Sequence, residues 1–222
     1  MSMRLLFDMD GTLIDSGGYM TPEQKSVWLQ LTQKYDVTIV SGARREKILQ
    51  HIPGRYTILA QSGNDAWSMD GESMWRNEIT DAVRSSVGIW LASMRAQGHQ
   101  VLDTEDRGCQ FSVSLVGHYA DREIKRQFDP LGAVRRRILS ECPPAKDVVA
   151  EIGGTTCIDF STSSKGTNVA RFVSDSKEPA LYFGDAVFPG GNDWSVIKCG
   201  AMVGVIAVNW PSQTHQMIKW LV

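Results

Sequence analysis

The sequence lacks several features that mark particular classes of protein. It has only four cysteines, and because they are far apart and form no CxxC pair, no zinc site is expected. No apolar run is long enough to span a membrane, since the stretch 201–210 is too short. Acidic residues number 25 and basic residues 23, which gives a formal net charge of −2. A basic surface for nucleic acid or for an anionic membrane is therefore not expected.

A secretion signal is not expected either, because residues 1–7 run into an acidic motif without the long apolar region of a signal peptide. Together with the dispersed cysteines, this predicts a cytoplasmic protein with reduced thiols. What is present suffices for a folded core, since 42% of the 222 residues are hydrophobic and 22% are charged. That length suits one large domain or a core with a smaller insert.

Both ends of the chain alternate short apolar runs with amphipathic segments. The predicted strands are 4–7, 37–40, 57–60, 180–183 and 201–208, and the predicted helices are 22–34, 44–50 and 165–173. The first helix has a clear start, with Thr21 as N-cap, Pro22 at the first helical position and Gln24 completing a capping box. Alternation of this kind predicts a parallel sheet with right-handed crossovers.

The middle of the chain follows a different pattern. The predicted helices there are 79–97 and 121–142, and the predicted strands are 101–102, 111–116, 148–152 and 157–160. Pro130 is expected to break or kink the second helix, and Gly153-Gly154 predicts a hairpin turn. We therefore predict a core made of residues 1–76 and 164–222, with residues 77–163 inserted as an α+β cap.

Two carboxylates, Asp8 and Asp10, follow the first predicted strand. A tight turn with Gly11 can bring both of them to one pocket. One carboxylate can then attack phosphorus, while the other protonates the leaving oxygen and later activates water. The alternative is an acidic cap on a strand-to-turn junction, since Asp favours turns. The apolar strand before the pair and Gly11-Thr12-Leu13 after it favour the chemical role.

A second acidic segment follows the buried strand that ends at Phe183. The glycine-rich loop 184–193 carries Asp185, Asn192 and Asp193. Mg²⁺ prefers hard oxygen ligands, so a few carboxylates at strand ends suffice to bind it. Asp185 is the natural ligand beside Asp8, and Asp193 can bind the metal or hold a metal-bound water. A surface loop with incidental acids is the alternative, and Asn192 is a further candidate for the site.

Three weaker candidates lie between the two acidic motifs in the sequence. Ser41 and Gly42 follow the strand 37–40 and offer a hydroxyl and a free backbone N–H for an anion. Lys165 opens a helix and supplies a compact charge for phosphoryl oxygens. Taken alone, a serine N-cap and a surface lysine are the more ordinary interpretations. Asn64 follows a core strand, where a place in the site and a turn are equally plausible.

These motifs, in this order, resemble the four motifs of the haloacid dehalogenase superfamily. The resemblance implies an α/β, doubly wound parallel-sheet core with an inserted α+β cap of type IIB. It also implies an aspartyl-phosphate intermediate on Asp8, with Asp10 as the acid/base. Mg²⁺ would be held by Asp8, the carbonyl of Asp10, and Asp185.

Within that superfamily, the sequence is most similar to the eukaryotic-type phosphomannomutases. The likeness covers the loop 183–193, the cap segment 107–118, and Gly153-Gly154 with the following Cys157-Ile158-Asp159. It implies that Arg107 contacts the distal phosphate of a substrate and that Asp159 contacts sugar hydroxyls. A cap-to-cap homodimer follows by the same analogy.

The departures from that family concern phosphate binding. His118 stands where the family has its second arginine, Lys125 lies near the position of a third, and Cys157 replaces a serine that helps to hold substrate. The segment 15–18 lacks an arginine that the family has there. Lysine and histidine do not restore the bidentate geometry of arginine. His118 is either a pH-dependent phosphate ligand or a surface histidine at a strand end.

We therefore expect a Mg²⁺-dependent phosphohydrolase that acts on a small phosphorylated sugar or a related metabolite. A mutase must hold a bisphosphorylated intermediate while it turns over, and the missing arginines weaken that grip. A hexose-phosphate mutase is the second hypothesis, because it shares every core residue. The third is a catalytically silent module that binds phosphorylated ligands.

Overall fold

The computed structural model describes residues 3–146 and 148–222. Its strands are β1 (Arg4–Phe7), β2 (Val37–Val40), β3 (Thr57–Ala60), β4 (Asp65–Trp67), β5 (Ser73–Arg76), β6 (Asp103–Asp106), β7 (Phe111–Ser114), β8 (Val149–Gly153), β9 (Cys157–Ser161), β10 (Ala180–Gly184) and β11 (Val203–Ala207). Its α-helices are α1 (Pro22–Lys34), α2 (Arg45–His51), α3 (Asp81–Ala96), α4 (Arg122–Phe128), α5 (Ala133–Glu141), α6 (Lys165–Ser176) and α7 (Pro211–Lys219). Two short 3₁₀ helices cover Gln61–Gly63 and Trp194–Lys198.

Seven strands form one mixed sheet, in the order β11-β10-β1-β2-β3-β4-β5. The first five strands in this order are parallel, and their apolar side chains are buried beneath helices on the two faces. The predicted parallel core is confirmed. Strands β4 and β5 were not predicted, and they extend the sheet in antiparallel fashion at one edge.

The middle of the chain forms a separate antiparallel sheet, in the order β6-β7-β9-β8. We refer to these four strands with α3, α4 and α5 as the cap. The helices cover one face of this sheet, where Trp90 of α3 packs edge to face against Phe160 of β9. The predicted fold class, a mostly parallel α/β core with a separate α+β layer, is confirmed. The division of the chain at residues 77 and 163 stays a prediction.

Several local predictions have clear outcomes. Thr21 and Gln24 make both hydrogen bonds of the capping box at the start of α1. The predicted helix 121–142 is two helices, because the chain is broken around Pro130 as expected. The first cap strand covers residues 103–106, and its prediction at 101–102 was wrong. Helix α7 was not predicted. Among the described residues, no helix is long and apolar enough to cross a membrane.

Candidate active site

The site lies at the carboxyl end of β1, between β10 and β2. The backbone N–H of Asp8 donates to the carbonyl of Phe183 at 2.9 Å, so the pairing of β1 with β10 continues into the site. The chain then turns at Gly11, whose φ of +88° suits glycine. A Cβ at this position would lie 2.5 Å from Asp185 Oδ2. The absence of a side chain at Gly11 therefore lets the two acidic loops touch.

Lys165 joins the two acidic motifs. Its Nζ donates to Asp8 Oδ1 and to Asp193 Oδ1, each at 2.7 Å, and the whole side chain is buried. The Ser164 hydroxyl accepts a hydrogen bond from Thr167 N, and so caps the helix that presents the lysine. Burial alone would lower the pKa of Lys165, but Asp193 and Asp8 raise it further than burial lowers it. The lysine is thus a fixed cation between two carboxylates.

Asp193 is held by three donors. Besides Lys165, the hydroxyl of Tyr182 donates to its Oδ1 at 2.5 Å, and the backbone N–H of Ala186 donates to its Oδ2 at 3.1 Å. Tyr182 was missing from the predicted site residues. Its strand was predicted to be buried, and a buried phenol needs a hydrogen-bond partner. That requirement was the one signal that could have placed it in the site.

Three carboxylates meet beside the lysine. Oxygen atoms of Asp8, Asp185 and Asp193 all lie within 4.8 Å of one another. Burial raises the pKa of Asp8, Lys165 lowers it only in part, and the two neighbouring acids raise it again. Burial and Asp193 raise the pKa of Asp185 to about 7. Crowded, buried carboxylates with so little compensating charge fit a hard divalent cation such as Mg²⁺.

Asp10 lies at the edge of this cluster and is half-buried. Its Oδ1 accepts a hydrogen bond from the backbone N–H of Gly17 at 3.2 Å, which orients the carboxylate. Burial lowers the pKa of Lys125, on cap helix α4. The negative charge of Asp10 acts in the opposite direction, so the Lys125 ammonium lies near Asp10. Asp10 thus faces the cleft between the core and the cap.

Ser41 and Gly42 follow β2 at the same end of the sheet. The backbone N–H of Ser41 donates to the carbonyl of Leu59 on β3 at 3.0 Å, and the anion site at Ser41 and Gly42 stays a prediction. The Ser41 hydroxyl accepts from the N–H of Ala43 at 3.1 Å. The carbonyl of Gly42 accepts from Arg107 Nη1 at 3.1 Å, which links the core to the cap.

Two of the predicted cap residues are tied to acidic partners. Arg107 Nε donates to Glu105 at 2.7 Å, in addition to its bond to Gly42. His118 Nδ1 lies 2.9 Å from Asp103 Oδ2, and its Nε2 lies 3.3 Å from the hydroxyl of Ser112. A hydrogen bond with Cys157 and the bond to Asp103 raise the pKa of His118. These contacts favour the imidazolium form of His118.

Lys125 and Cys157 lie beside His118. Lys125 Nζ donates to the carbonyl of His118. Burial would raise the pKa of the Cys157 thiol, but its hydrogen bond with His118 contributes to a net lowering. Lys125 and Arg107 also lie close to Cys157. The negative charge of a Cys157 thiolate contributes an increase to the pKa of each, although the pKa of Lys125 remains lowered by burial. The thiol therefore lies among three cationic side chains.

Asp159 and a residue that was not predicted, Gln110, reach the core from the cap sheet. Asp159 is 7% exposed and Gln110 is 1% exposed. A Cβ on Gly42 would lie 3.5 Å from Asp159 Oδ2 and 3.9 Å from Gln110 Nε2. Both side chains thus lie beside Gly42, where the cap meets the core. Gln110 directly precedes the predicted strand 111–116, and nothing in that pattern distinguishes it from its neighbours.

The contacts of the two asparagine candidates are with neighbouring segments of the chain, and a role for either in the site stays a prediction. Asn64 is buried, and its Nδ2 donates to the carbonyls of Gln61 and Ser163, each at 3.0 Å. It therefore fastens the segment that returns from the cap to the core. Asn192 is half-buried in the loop before Asp193, where its carbonyl accepts from the Ser195 hydroxyl at 3.4 Å.

Comparison with known proteins agrees with this architecture, although no protein-family model matches the chain. The chain is 22% identical to phosphomannomutase 1 of Dictyostelium discoideum over 237 residues. This alignment covers 97% of the chain and 95% of that protein. The chain is similar to the structure of an IMP-bound IMP-nucleotidase from Plasmodium falciparum, with a TM-score of 0.68 and 14% identity, over 98% of this chain and 67% of that one. A haloacid dehalogenase-like hydrolase from B. subtilis aligns with a TM-score of 0.65 and 15% identity, over 99% of both chains. The chain therefore has the fold of the haloacid dehalogenase superfamily and resembles the phosphomannomutases in sequence over nearly its whole length.

Proposed function

We propose that this protein is a Mg²⁺-dependent phosphohydrolase of a small phosphorylated metabolite, with Asp8 as its nucleophile. The observation that carries the proposal is the buried contact of Lys165 Nζ with both Asp8 and Asp193, each at 2.7 Å. A lysine held between the carboxylates of two separate motifs is suited to neutralising phosphoryl oxygens beside a carboxylate nucleophile. The phosphomannomutase-like sequence and the hydrolase-like fold support phosphoryl transfer as the reaction class.

The nucleophile is one carboxylate oxygen of Asp8. Because Lys165 holds Oδ1, Oδ2 is the oxygen that attacks phosphorus. The bond from phosphorus to the leaving oxygen breaks as the aspartyl phosphate forms. Lys165 keeps its proton throughout, since Asp8 and Asp193 raise its pKa. Its ammonium then balances charge on the transferred group without exchanging a proton.

Asp10 is the acid/base of the proposed reaction. The Gly17 N–H orients the carboxyl group of Asp10, and the protonated carboxylic acid gives its proton to the leaving oxygen. The carboxylate left behind then takes a proton from the water that attacks the aspartyl phosphate. This second step restores Asp8 and Asp10 and releases inorganic phosphate, so atoms and protons balance over the cycle.

Asp8, Asp185 and Asp193 would hold the metal ion, with the carbonyl of Asp10 as the further ligand that the superfamily resemblance implies. When bound, Mg²⁺ supplies positive charge that lowers the repulsion between the carboxylates and the phosphate ester. Thr12 donates to Asp185 Oδ1 at 3.3 Å and thereby orients that carboxylate.

A hexose-phosphate mutase is the second candidate, because the curated relative is a phosphomannomutase aligned over nearly its full length. The contacts of the cap favour hydrolysis. Arg107 is engaged by Glu105 and Gly42, and His118 is engaged by Asp103, so their charges are partly compensated before any substrate arrives. A mutase needs strong cationic contacts to both phosphates of its intermediate.

A phosphate-release screen over sugar phosphates, nucleotides and phosphoglycerate derivatives with Mg²⁺ tests the proposal. The wild type is expected to release phosphate from at least one ester, and Asp8→Asn is expected to release none. Hexose 1-phosphate with a bisphosphate activator separates the two candidates, because net isomerisation with little free phosphate identifies a mutase. If no ester releases phosphate or isomerises and Asp8→Asn behaves like the wild type, the protein is a binding module.

A further inference from the structure

Three consecutive arginines in cap helix α5 lie in three different environments. Arg135 is buried inside the cap, where its Nε donates to Asp129 Oδ2 at 2.9 Å. Arg137 is exposed and lies 3.8 Å from Glu141, one helical turn later. Arg136, between them, is half-buried and extends from the cap to the core. The helix that carries it is fixed, because the buried ion pair of Arg135 holds its first turn.

Arg136 contacts the loop 184–193 of the core at two points. Its guanidinium carbon lies 5.5 Å from the centre of the Phe188 ring, within the range of a cation–π contact. Its aliphatic stem crosses Gly190, where a Cβ would lie 2.3 Å from Arg136 Cδ. The absence of a side chain at Gly190 therefore lets the cap arginine lie on the loop. On the cap side, Arg136 Nη1 donates to the carbonyl of Leu131 at 2.6 Å, which orients the guanidinium.

The contacted part of the loop connects two candidate metal ligands. Phe188 lies between Asp185 and Asp193 in the sequence, and its carbonyl accepts from the N–H of Gly191 at 2.8 Å. The N–H of Ala186 donates to Asp193 Oδ2 at 3.1 Å, so the two ends of the loop are held together. The loop contains three glycines, whose backbones have many accessible conformations. A contact that immobilises its tip therefore restricts the positions of both carboxylates.

We infer that Arg136 is a positioning residue, which orders the loop 184–193 through Phe188 and Gly190 and thereby strengthens Mg²⁺ binding by Asp185 and Asp193. The inference rests on the metal site of the proposed function. Coupling between two binding events is reciprocal, so bound Mg²⁺ also strengthens the contact of the cap with the loop. The cap thus affects the affinity of a metal site to which it contributes no ligand.

Arg136→Ala and its neighbour Arg137→Ala form a matched pair, because both remove one positive charge from α5. Hydrogen exchange of the peptides that cover 184–193, measured by mass spectrometry without Mg²⁺, reports the order of the loop. Isothermal titration calorimetry gives the Kd for Mg²⁺. Arg136→Ala is expected to accelerate the exchange and raise the Kd, each by about threefold to tenfold, the range of a cation–π contact. Arg137→Ala is expected to stay within about twofold of the wild type in both.

The direction of the change in Kd separates the contact from the charge. Loss of a cation near a group of carboxylates strengthens the attraction of Mg²⁺ by long-range electrostatics. Weaker binding in Arg136→Ala therefore reports the lost contact. Arg136→Lys keeps an aliphatic stem and a cation for Phe188, and it is expected to lie between the wild type and Arg136→Ala in both measurements. Exchange in Arg136→Ala within about twofold of that in Arg137→Ala would overturn the inference.

A double-mutant cycle tests the pair itself. Phe188→Leu removes the ring from the core side and is expected to change exchange and Kd as Arg136→Ala does. Because each change removes the same contact, the double variant is expected to be no worse than either single variant, and additive effects would overturn the inference. Should Arg136→Ala not fold, as judged by its thermal melt, Phe188→Leu and Arg136→Lys replace it in the comparison with Arg137→Ala.

The two measurements also separate this inference from the proposed function. If the wild type binds no Mg²⁺, the proposed metal site fails, and loop exchange alone decides whether Arg136 orders the loop. If the wild type binds Mg²⁺ and Arg136→Ala accelerates exchange without raising the Kd, the link between the cap and the metal site is overturned while the metal site stands. Neither measurement depends on the hydrolysis of any ester.

Discussion

Glu151, on cap strand β8, accepts a hydrogen bond from the backbone N–H of Lys165 at 3.2 Å. Its second oxygen accepts from the hydroxyl of Ser195 at 3.0 Å, and that same hydroxyl accepts from the N–H of Gly166. One cap carboxylate thus caps the helix that presents Lys165 and contacts the segment that follows Asp193. Burial raises the pKa of Glu151, and these donors lower it only in part.

The first prediction concerns this bridge. In Glu151→Gln the new amide keeps a single acceptor for two donors, so the contact between cap and core weakens. We expect kcat/KM to fall by about tenfold, the equivalent of one hydrogen bond to a charged group. Glu141→Gln, an exposed cap change of the same kind, is expected to leave kcat/KM within about twofold. Equal kinetics for the two variants would show that the bridge has no part in catalysis.

Tyr182 and Tyr56 form a matched pair of buried tyrosines. Tyr182→Phe removes a donor to Asp193, and Tyr56→Phe removes a donor to the Ile52 carbonyl at 2.6 Å. We expect the free energy of unfolding to fall by about 1–3 kcal/mol in both. Only Tyr182→Phe is expected to lower kcat, by about 10- to 100-fold, because Asp193 is then less well oriented. Urea unfolding and steady-state kinetics measure the two effects, and an unchanged kcat in Tyr182→Phe would count against its role.

Metal binding has a readout that is independent of turnover. Because the crowded carboxylates of Asp8, Asp185 and Asp193 repel one another, Mg²⁺ is expected to raise the melting temperature of the wild type. Asp185→Asn removes one charge and one ligand, and we expect it to melt at a temperature that depends little on Mg²⁺. Asp175→Asn, on the exposed side of α6, is expected to respond like the wild type. If Mg²⁺ shifts none of the three melts, these carboxylates do not form a metal site.

Cys157 and Cys199 are both half-buried but differ in charge environment. Contact with His118 contributes to a lowered pKa of Cys157, whereas burial raises the pKa of Cys199 to about 11. At pH 7.5 we expect iodoacetamide to label Cys157 at least about tenfold faster than Cys199. The reason is that the thiolate fraction changes tenfold for each unit of pKa. His118→Gln is expected to slow the labelling of Cys157 alone. Peptide mapping by mass spectrometry gives both rates, and equal rates in the wild type would contradict the prediction.

The parallel core could be predicted because each of its strands is a short apolar run that ends at a polar loop. Strand β6 has the sequence Asp-Thr-Glu-Asp and lies at the edge of the cap sheet, so it carries no hydrophobic signal. Strands β4 (Asp-Ala-Trp) and β5 (Ser-Met-Trp-Arg) were missed because neither is a continuous apolar run. Their pairing depends on an edge supplied by β3.

The residues of the candidate site also fall into two groups, those that the sequence identifies and those that it does not. Asp8, Lys165, Asp185 and Asp193 could be named from the order of their motifs, and the structure brings them together. Tyr182, Gln110 and Glu151 could not, because their importance arises only where two distant segments meet. The backbone N–H of Ser41 pairs with the neighbouring strand β3, a contact that the sequence of this segment does not reveal.

Because β1 pairs with β10, the candidate site can form only after β10 has been synthesised. Asp8 leaves β1 beside a strand that lies more than 170 residues later in the chain, and the whole cap intervenes. During synthesis, β2 and β3 can join β1 early, while the opposite edge of β1 waits for β10. Newly made chains therefore carry Asp8 long before Lys165, Asp185 and Asp193 emerge. The candidate site is complete only once β10 and the loop to Asp193 have been made and β10 has paired with β1.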